Sequence, residues 1–170
     1  VLMNDPEFPV GSEVLLIPAA LAYENPSAAI DRAVEWFSPL GVAVRTLDVY
    51  RRADAMDPAV ADLARSARAV YVTGGSPMHL RSVLKDTALL AALIEAWRNG
   101  ATIAAAGEAG SVLCSHMVDS RGGAFTVGLD LITTMTVVPR RDKWSPEKLH
   151  RTVELAHRGL PVVGIDEATA

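Results

Sequence analysis

The segment most suggestive of chemistry is residues 105–113, Ala-Ala-Gly-Glu-Ala-Gly-Ser-Val-Leu. Small residues at the end of an apolar strand, followed by a glycine-containing turn and an apolar helix, are typical of a nucleophile elbow. Such an elbow exposes one side chain above backbone N–H donors, and small neighbours are needed because the turn crowds the backbone. The exposed position predicted here carries Glu108, where a hydrolase would have Ser or Cys. An ordinary strand-to-helix turn with an acid complementing the helix dipole fits the same pattern.

Two further segments place polar groups after predicted strands. Gly74-Gly75-Ser76 follows an apolar run and precedes Pro77, a pattern that predicts a backbone turn and a helix capped by Ser76. The run 140–143, Arg-Arg-Asp-Lys, is the basic cluster closest to a predicted strand end. It could attract a carboxylate ligand, although a charged loop before a helix cap explains it equally simply.

Other nucleophiles and cofactor motifs find little support. Ser111 and Cys114 fall in a predicted helix over 111–118, where core packing is the usual fate of Cys. Ser115 and His116 would point to different faces of that helix, which argues against a catalytic pair. The four histidines show no metal-ligand spacing, and no dinucleotide or Walker motif occurs. We therefore expect neither a metal nor another cofactor.

Apolar runs of strand length alternate with helical patterns along the chain. Strands are predicted at 13–18, 42–47, 69–73, 101–106, 131–138 and 161–165, and helices at 25–40, from 57, 77–84, 88–98, 111–118 and 145–157. This alternation predicts an α/β fold, a three-layer α/β/α sandwich with a mostly parallel, doubly wound sheet. In such sheets ligands bind beyond the carboxyl ends of the strands, where the segments described above must meet.

Composition limits the class of protein. The 170 residues are expected to form one domain with an aliphatic core, since half are hydrophobic and only 5% are aromatic. The net charge of −4 argues against nucleic-acid and anionic-membrane partners. No apolar run is long enough to span a membrane, and residues 1–10 lack the pattern of a secretion signal. With a single cysteine, these features favour a cytoplasmic protein.

Four segments in order resemble peptidase family S51, which contains cyanophycinases and dipeptidase E-like enzymes with a class I glutamine amidotransferase-like fold. Residues 105–113 resemble the family's Gly-x-Ser-Ala-Gly-Ala elbow, and 71–76 (Tyr-Val-Thr-Gly-Gly-Ser) its glycine turn that lines the oxyanion hole. Residues 136–144 resemble the strand end carrying the catalytic His, and 162–170 the Gly-Ile-Asp-Glu-x-Thr-Ala segment with its acid. The family continues past the segment that ends at Ala170, so the resemblance implies that the domain 1–170 lacks its C-terminal end.

The resemblance also implies roles for individual residues, and two of them depart from the family pattern. Glu108 takes the place of the nucleophilic Ser, and Arg140 takes that of the His, or with a one-residue shift Pro139 or Arg141 does. The acid corresponds to Glu167, or to its neighbour Asp166. Oxyanion or ligand-binding groups would come from Gly74, Gly75, Ser76, Ala109 and Arg141.

These departures predict that the family's hydrolytic chemistry is lost, because a carboxylate is a poor nucleophile and Arg is no base at neutral pH. We further expect Glu108 and Arg140 to form an ion pair in the former site. The leading expectation is a catalytically degenerate homologue that binds a small acidic peptide-like ligand or regulates a partner. The alternatives are an active hydrolase with Glu108 as general base, and a non-catalytic interaction module; a homodimer is compatible with each.

Overall fold

The computed structural model describes residues 12–170, which form both strands and helices, as the sequence predicts. The strands are β1 (Glu13–Ile17), β2 (Ala43–Thr46), β3 (Ala69–Val72), β4 (Thr102–Ala105), β5 (His116–Val118), β6 (Phe125–Val127), β7 (Thr136–Pro139) and β8 (Val162–Ile165). The helices are α1 (Pro26–Phe37), α2 (Arg52–Ala55), α3 (Pro58–Ser66), α4 (Pro77–Leu84), α5 (Ala88–Arg98), α6 (Glu108–Leu113) and α7 (Pro146–Leu155).

The central sheet has the strand order β2-β1-β3-β4, and all its strands are parallel. Alternate residues of β1 point to opposite faces, so Leu15 and Ile17 enter one apolar cluster while Val14 and Leu16 enter another. The first cluster includes residues of helices α3 to α6, and the second includes Ala33 and Phe37 of α1. Helices therefore cover both faces of a mostly parallel sheet, which confirms the predicted α/β sandwich.

Two smaller strand pairs extend this framework. Strands β7 and β8 pair in parallel, and β7 packs against α6 and β5. The parallel strands β1, β3 and β4 end at one edge, and each is followed by a turn. Thr73 N–H donates to Ile17 O and Ala106 N–H to Val72 O, which ties these turns together beyond the strand ends. The turns that the sequence singled out thus meet where α/β proteins bind ligands.

Side-chain caps explain where several helices begin. Ser76 accepts a hydrogen bond from His79 N–H, Ser145 from Lys148 N–H and Asn25 from Ala28 N–H, each with Pro as the next residue. Pro lacks an N–H and is preorganised for the first helical turn, so these starts could be predicted from sequence.

The predicted helix over 111–118 is wrong in its second half. Helix α6 ends at Leu113, and His116–Val118 forms a strand that pairs antiparallel with Phe125–Val127. The turn between these strands closes when Gly123 N–H donates to Asp119 O (2.7 Å), and Ser111 Oγ accepts from Val118 N–H. Local apolar periodicity cannot reveal such pairing, because the partner strand lies outside the window that is read.

The predicted strand over 131–138 is also too long. The strand occupies Thr136–Pro139, while Ile132 makes only an isolated bridge with Cys114 and residues 133–135 are exposed. Within residues 12–170, no helix is both long and apolar enough to cross a membrane. The expectation that residues 1–10 hold no secretion signal concerns a part of the chain outside the described residues.

Candidate functional site

The turn after β4 has one strained residue, and it is Gly107. Gly107 has φ 52° and ψ −131°, a combination that other residues adopt only at an energetic cost. Glu108, which the sequence pattern placed at the exposed position of the elbow, is instead the first residue of α6. In a nucleophile elbow the nucleophile itself occupies the strained strand-to-helix position. Gly107, which has no side chain, holds this backbone conformation at the turn after β4.

Glu108 and Arg140 form the ion pair expected from the sequence. Arg140 Nη2 donates to Glu108 Oε1 at 2.5 Å, joining the start of α6 to the end of β7. Only 14% of the Glu108 side chain is exposed, against 51% for Arg140. The hydrogen bond and charge of Glu108 raise the pKa of Arg140, and the charge of Glu167 adds to this. Arg140 is thus a permanent cation that neutralises a largely covered carboxylate.

Arg140 has a left-handed backbone, with φ 48° and ψ 47°. A non-glycine residue rarely adopts this conformation unless its surroundings hold it there. A 3₁₀ turn over Arg141–Lys143 follows directly, and Lys143 N–H donates to Arg140 O. The guanidinium is therefore presented from a tight turn and not from a flexible loop.

The residues at the family's acid position pair with the same turn. Arg141 donates two hydrogen bonds to Asp166, at 2.8 and 2.9 Å, and these lower the pKa of that carboxyl. Glu167 forms an ion pair with Lys143 at 3.0 Å, not with Arg140. Glu167 therefore lies close enough to Arg140 to act on it through charge, but Glu167 pairs with Lys143 whereas Arg140 pairs with Glu108.

Some backbone N–H groups beside the turns after β3 and β4 already donate a hydrogen bond, and others do not. Ser76 N–H donates to Ala20 O (2.8 Å) and Ala109 N–H to Ala106 O (3.1 Å), so neither is available as the oxyanion donor that the sequence suggested. In the described part of the chain, the N–H groups of Gly75 and Glu108 donate to no acceptor. An oxyanion hole uses the N–H of the residue after the nucleophile, which fits Glu108 if the elbow position is Gly107.

The turns line an open cleft of about 460 Å³. Its lining combines glycine backbone with a few polar side chains: Glu24, Gly74, Gly75, Pro77, Gly107, Glu108, Ser120 and Arg140. A second hollow of about 340 Å³ shares Glu24, Gly74 and Gly75 with it and adds Arg32 and Tyr71. Sequence reasoning missed Glu24 and Ser120, which belong to a turn and a hairpin that carry no local chemical signal.

Ser111 and Cys114, the other nucleophiles considered from the sequence, do not line the cleft. Ser111 is buried with its hydroxyl bonded to Val118 N–H, and Cys114 is buried with its Sγ against Gly110 O at 3.6 Å. Burial raises the pKa of the Cys114 thiol, which disfavours the reactive thiolate. Among residues 12–170, no group of three or more His, Cys, Asp or Glu side chains is arranged to hold a metal ion.

Comparison with known proteins places the chain in a family. Residues 7–170 match the profile of peptidase family S51. The fold resembles the crystal structure of a peptidase from an acI-B1 actinobacterium, with 26% identity and a TM-score of 0.79, covering 98% of this chain and 72% of that one. It also resembles a candidate peptidase E protein from Listeria monocytogenes EGD-e, with 22% identity and a TM-score of 0.67, covering 98% and 85%. No curated protein matches significantly. The match over nearly the whole chain shows that this protein belongs to peptidase family S51.

Proposed function

We propose that this S51 member binds a small peptide-like ligand in the cleft around Gly75 and Arg140 and does not hydrolyse it. The observation that carries the proposal is the glycine at the strained elbow position, because covalent acyl transfer needs a hydroxyl or thiol there. On this register Gly107, not Glu108, is the counterpart of the family nucleophile. Arg140, at the position implied for the base, cannot accept a proton at neutral pH.

The free donors of the cleft suit a peptide group. The N–H groups of Gly75 and Glu108 have no acceptor among the described residues, and they would bind a carbonyl or carboxylate oxygen of the ligand. Glu24 is exposed on the rim, and its carboxylate pairs with no described cation, so it suits an amino group. Donors on one side and an acid on the other fit an amino acid or a short peptide.

An active enzyme with Glu108 as general base receives less support. The Glu108 carboxylate accepts a hydrogen bond from Arg140, and a water between them would have to displace that contact. A base must also reach the proton that it abstracts, whereas Glu108 is largely covered.

Binding and turnover can be measured on the same sample. We would incubate the protein with Asp-Leu, β-Asp-Leu, Ala-Ala and free aspartate, record thermal shifts and titration calorimetry, and analyse the peptides by mass spectrometry. The proposal expects binding of at least one peptide and full recovery of that peptide. Glu24→Gln should weaken the binding, while Asp31→Asn, a change of an exposed carboxylate on α1, should not.

Two results would reject this function. Peptide hydrolysis that disappears in Glu108→Gln would establish an active hydrolase. Absence of both binding and turnover over the whole set would favour an interaction module, whose assembly state light scattering would then define.

A further inference from the structure

A further depression, distinct from the two hollows described above, lies on the other side of the turn that joins β5 and β6. Its volume is about 480 Å³, and it is lined by Arg121, Gly122, Ser145, Glu147, Lys148 and Arg151; we call it the basic depression. Ser120 lines the cleft and the next residue, Arg121, lines the basic depression. Lys148 Nζ donates to Ser120 O at 2.9 Å, which fixes this shared wall to α7.

Two of the three cations that line the basic depression, Lys148 and Arg151, have no carboxylate partner among residues 12–170. Arg151 is exposed and makes no ion pair or hydrogen bond with residues 12–170. Arg121 is held by Asp119 through Nε and Nη2, yet 80% of its side chain is exposed. Lys148 lies 3.9 Å from the centre of the Trp144 ring and is half-buried. Arg140, by contrast, is paired with Glu108.

The balance of charged side chains differs between the cleft and the basic depression. The cleft is lined by the carboxylates of Glu24 and Glu108 and by one cation, Arg140, so its lining side chains carry no excess of positive charge. The basic depression is lined by three cations and one carboxylate. That carboxylate, Glu147, is held by its own helix start, where a backbone N–H and the Ser145 hydroxyl lower its pKa. An anionic group is therefore attracted across the turn, away from Glu108.

We propose that the basic depression binds a carboxylate of the peptide that occupies the cleft, so that the ligand is an acidic peptide recognised at two places. This inference rests on the proposed function, because it extends the same ligand. An extended peptide advances about 3.3–3.6 Å per residue. The consecutive residues Ser120 and Arg121 line the cleft and the basic depression, respectively. The acidic side chain would therefore follow the residue in the cleft by one or two positions.

The experiment compares peptides that differ only in one carboxylate. We would titrate N-terminally free, C-terminally amidated tetrapeptides of alanine carrying Asp at position 2, 3 or 4, each against its Asn counterpart, at low ionic strength. At position 2 or 3 the Asp peptide should bind about tenfold more tightly than the Asn peptide, as expected for two exposed ion pairs. Added salt should reduce that ratio, since exposed pairs are screened.

Substitutions in the basic depression test which residues produce the preference for the Asp peptide. Arg151→Gln should lower the Asp/Asn ratio several-fold, and Arg121→Gln combined with Arg151→Gln should bring it to about one while the Asn peptide still binds. Arg98→Gln is the matched control, because Arg98 is an exposed, unpartnered cation at the end of α5, judged by its contacts within 12–170. It should leave the ratio unchanged.

The outcomes separate this inference from the function on which it rests. If the Asn peptides bind but no Asp peptide binds better, or if the preference persists in the double variant, the inference is wrong and the proposed function stands. A preference that is lost in Arg140→Gln but kept in Arg151→Gln places the carboxylate in the cleft and also overturns it. Binding of neither tetrapeptide overturns the inference, and it refutes the proposed function as well only if the peptide set described above also fails to bind.

Discussion

At the level of single residues, the site depends on the backbone of Gly107 and the side chain of Glu108 in the turn after β4. Gly107 holds the strained conformation of the strand-to-helix turn, and Glu108 directs its carboxylate to Arg140. A Cβ added at Gly107 would meet no other heavy atom within 4 Å, so the position is open although its φ of 52° is strained for other residues. The absence of a nucleophile there is therefore a matter of residue type and not of space.

Gly107→Ser combined with Arg140→His should introduce reactivity toward a fluorophosphonate probe. The new hydroxyl would occupy the elbow, and the imidazole would replace a guanidinium that contacts Glu108 at 2.5 Å, giving a base oriented by a carboxylate. Intact-mass spectrometry would detect one adduct per chain, against none for the unsubstituted protein.

The companion variant, Glu108→Ser with Arg140→His, tests the other register of the elbow. It places a hydroxyl on the first helical residue and removes the carboxylate, so we expect no adduct. Labelling of this variant instead of the first would show that Glu108 is the elbow position after all.

The Glu108–Arg140 pair should also contribute to stability. Arg140→Ala leaves a carboxylate that is only 14% exposed without its partner, and we expect a loss of about 1 kcal/mol. Urea unfolding of both single variants (with Glu108→Gln) and the double variant gives the coupling energy. A double variant no more destabilised than either single one supports the pair, whereas simple additivity contradicts it.

At the level of elements, the site depends on how closely the turn after β3 approaches the turn after β1. Ser76 N–H donates to Ala20 O, and a Cβ added at Gly75 would lie 2.6 Å from that same oxygen. Gly75 also has φ 141°, a conformation that favours glycine. Gly75 lines the cleft, and its N–H has no acceptor among the described residues.

Gly75→Ala should therefore destabilise the protein by at least about 2 kcal/mol, since both strain and steric overlap arise. Gly100→Ala is the control for strain alone, because Gly100 has φ 97° and no atom lies within 4 Å of its added Cβ. That change should cost about 1 kcal/mol. Equal shifts in thermal unfolding for the two variants would contradict the steric argument.

The sequence predicted the features that depend on residues close together in the chain, and it missed those that depend on contacts between distant segments. Strand β3 and helix α5 were predictable because apolar periodicity and caps such as Thr87, which accepts from Leu90 N–H, are local. The β5–β6 hairpin was not, because its pairing is non-local. The residues around the elbow were identified from the sequence, and the assignment of Glu108 to the nucleophile position stays a prediction. The Glu108–Arg140 contact was predictable because the family resemblance places two residues of opposite charge in one site. Glu24 and Ser120 join the cleft only through tertiary packing.

At the level of the whole molecule, an ion pair and a hydrogen bond to a carboxylate attach the segment after β8 to the turn after β7. Strand β8 is largely exposed, and its pairing with β7 continues beyond the strand ends through the turn after β7. Arg141 binds Asp166 there, and Asp142 accepts a hydrogen bond from Glu167 N–H at 2.7 Å. These contacts hold the backbone next to Arg140, so the attachment of β8 and the geometry of the cleft should weaken together.

Acidification should release this attachment. Hydrogen bonds from Arg141 lower the pKa of Asp166, and the Glu167 N–H lowers that of Asp142, so both carboxylates are more acidic when folded than in the unfolded chain, at about 3.9. Their stabilisation is therefore complete above the unfolded pKa and is lost as the pH falls through the lower folded values. In urea unfolding from pH 7 to pH 2, Asp166→Asn should lose less stability on acidification than the unsubstituted protein, because the linked proton is already absent. Asp31→Asn, at an exposed α1 position without an ion pair to the described residues, should follow the unsubstituted curve. If Asp166→Asn follows that curve as well, charge does not hold β8 at the site, and the parallel ladder with β7 carries that attachment.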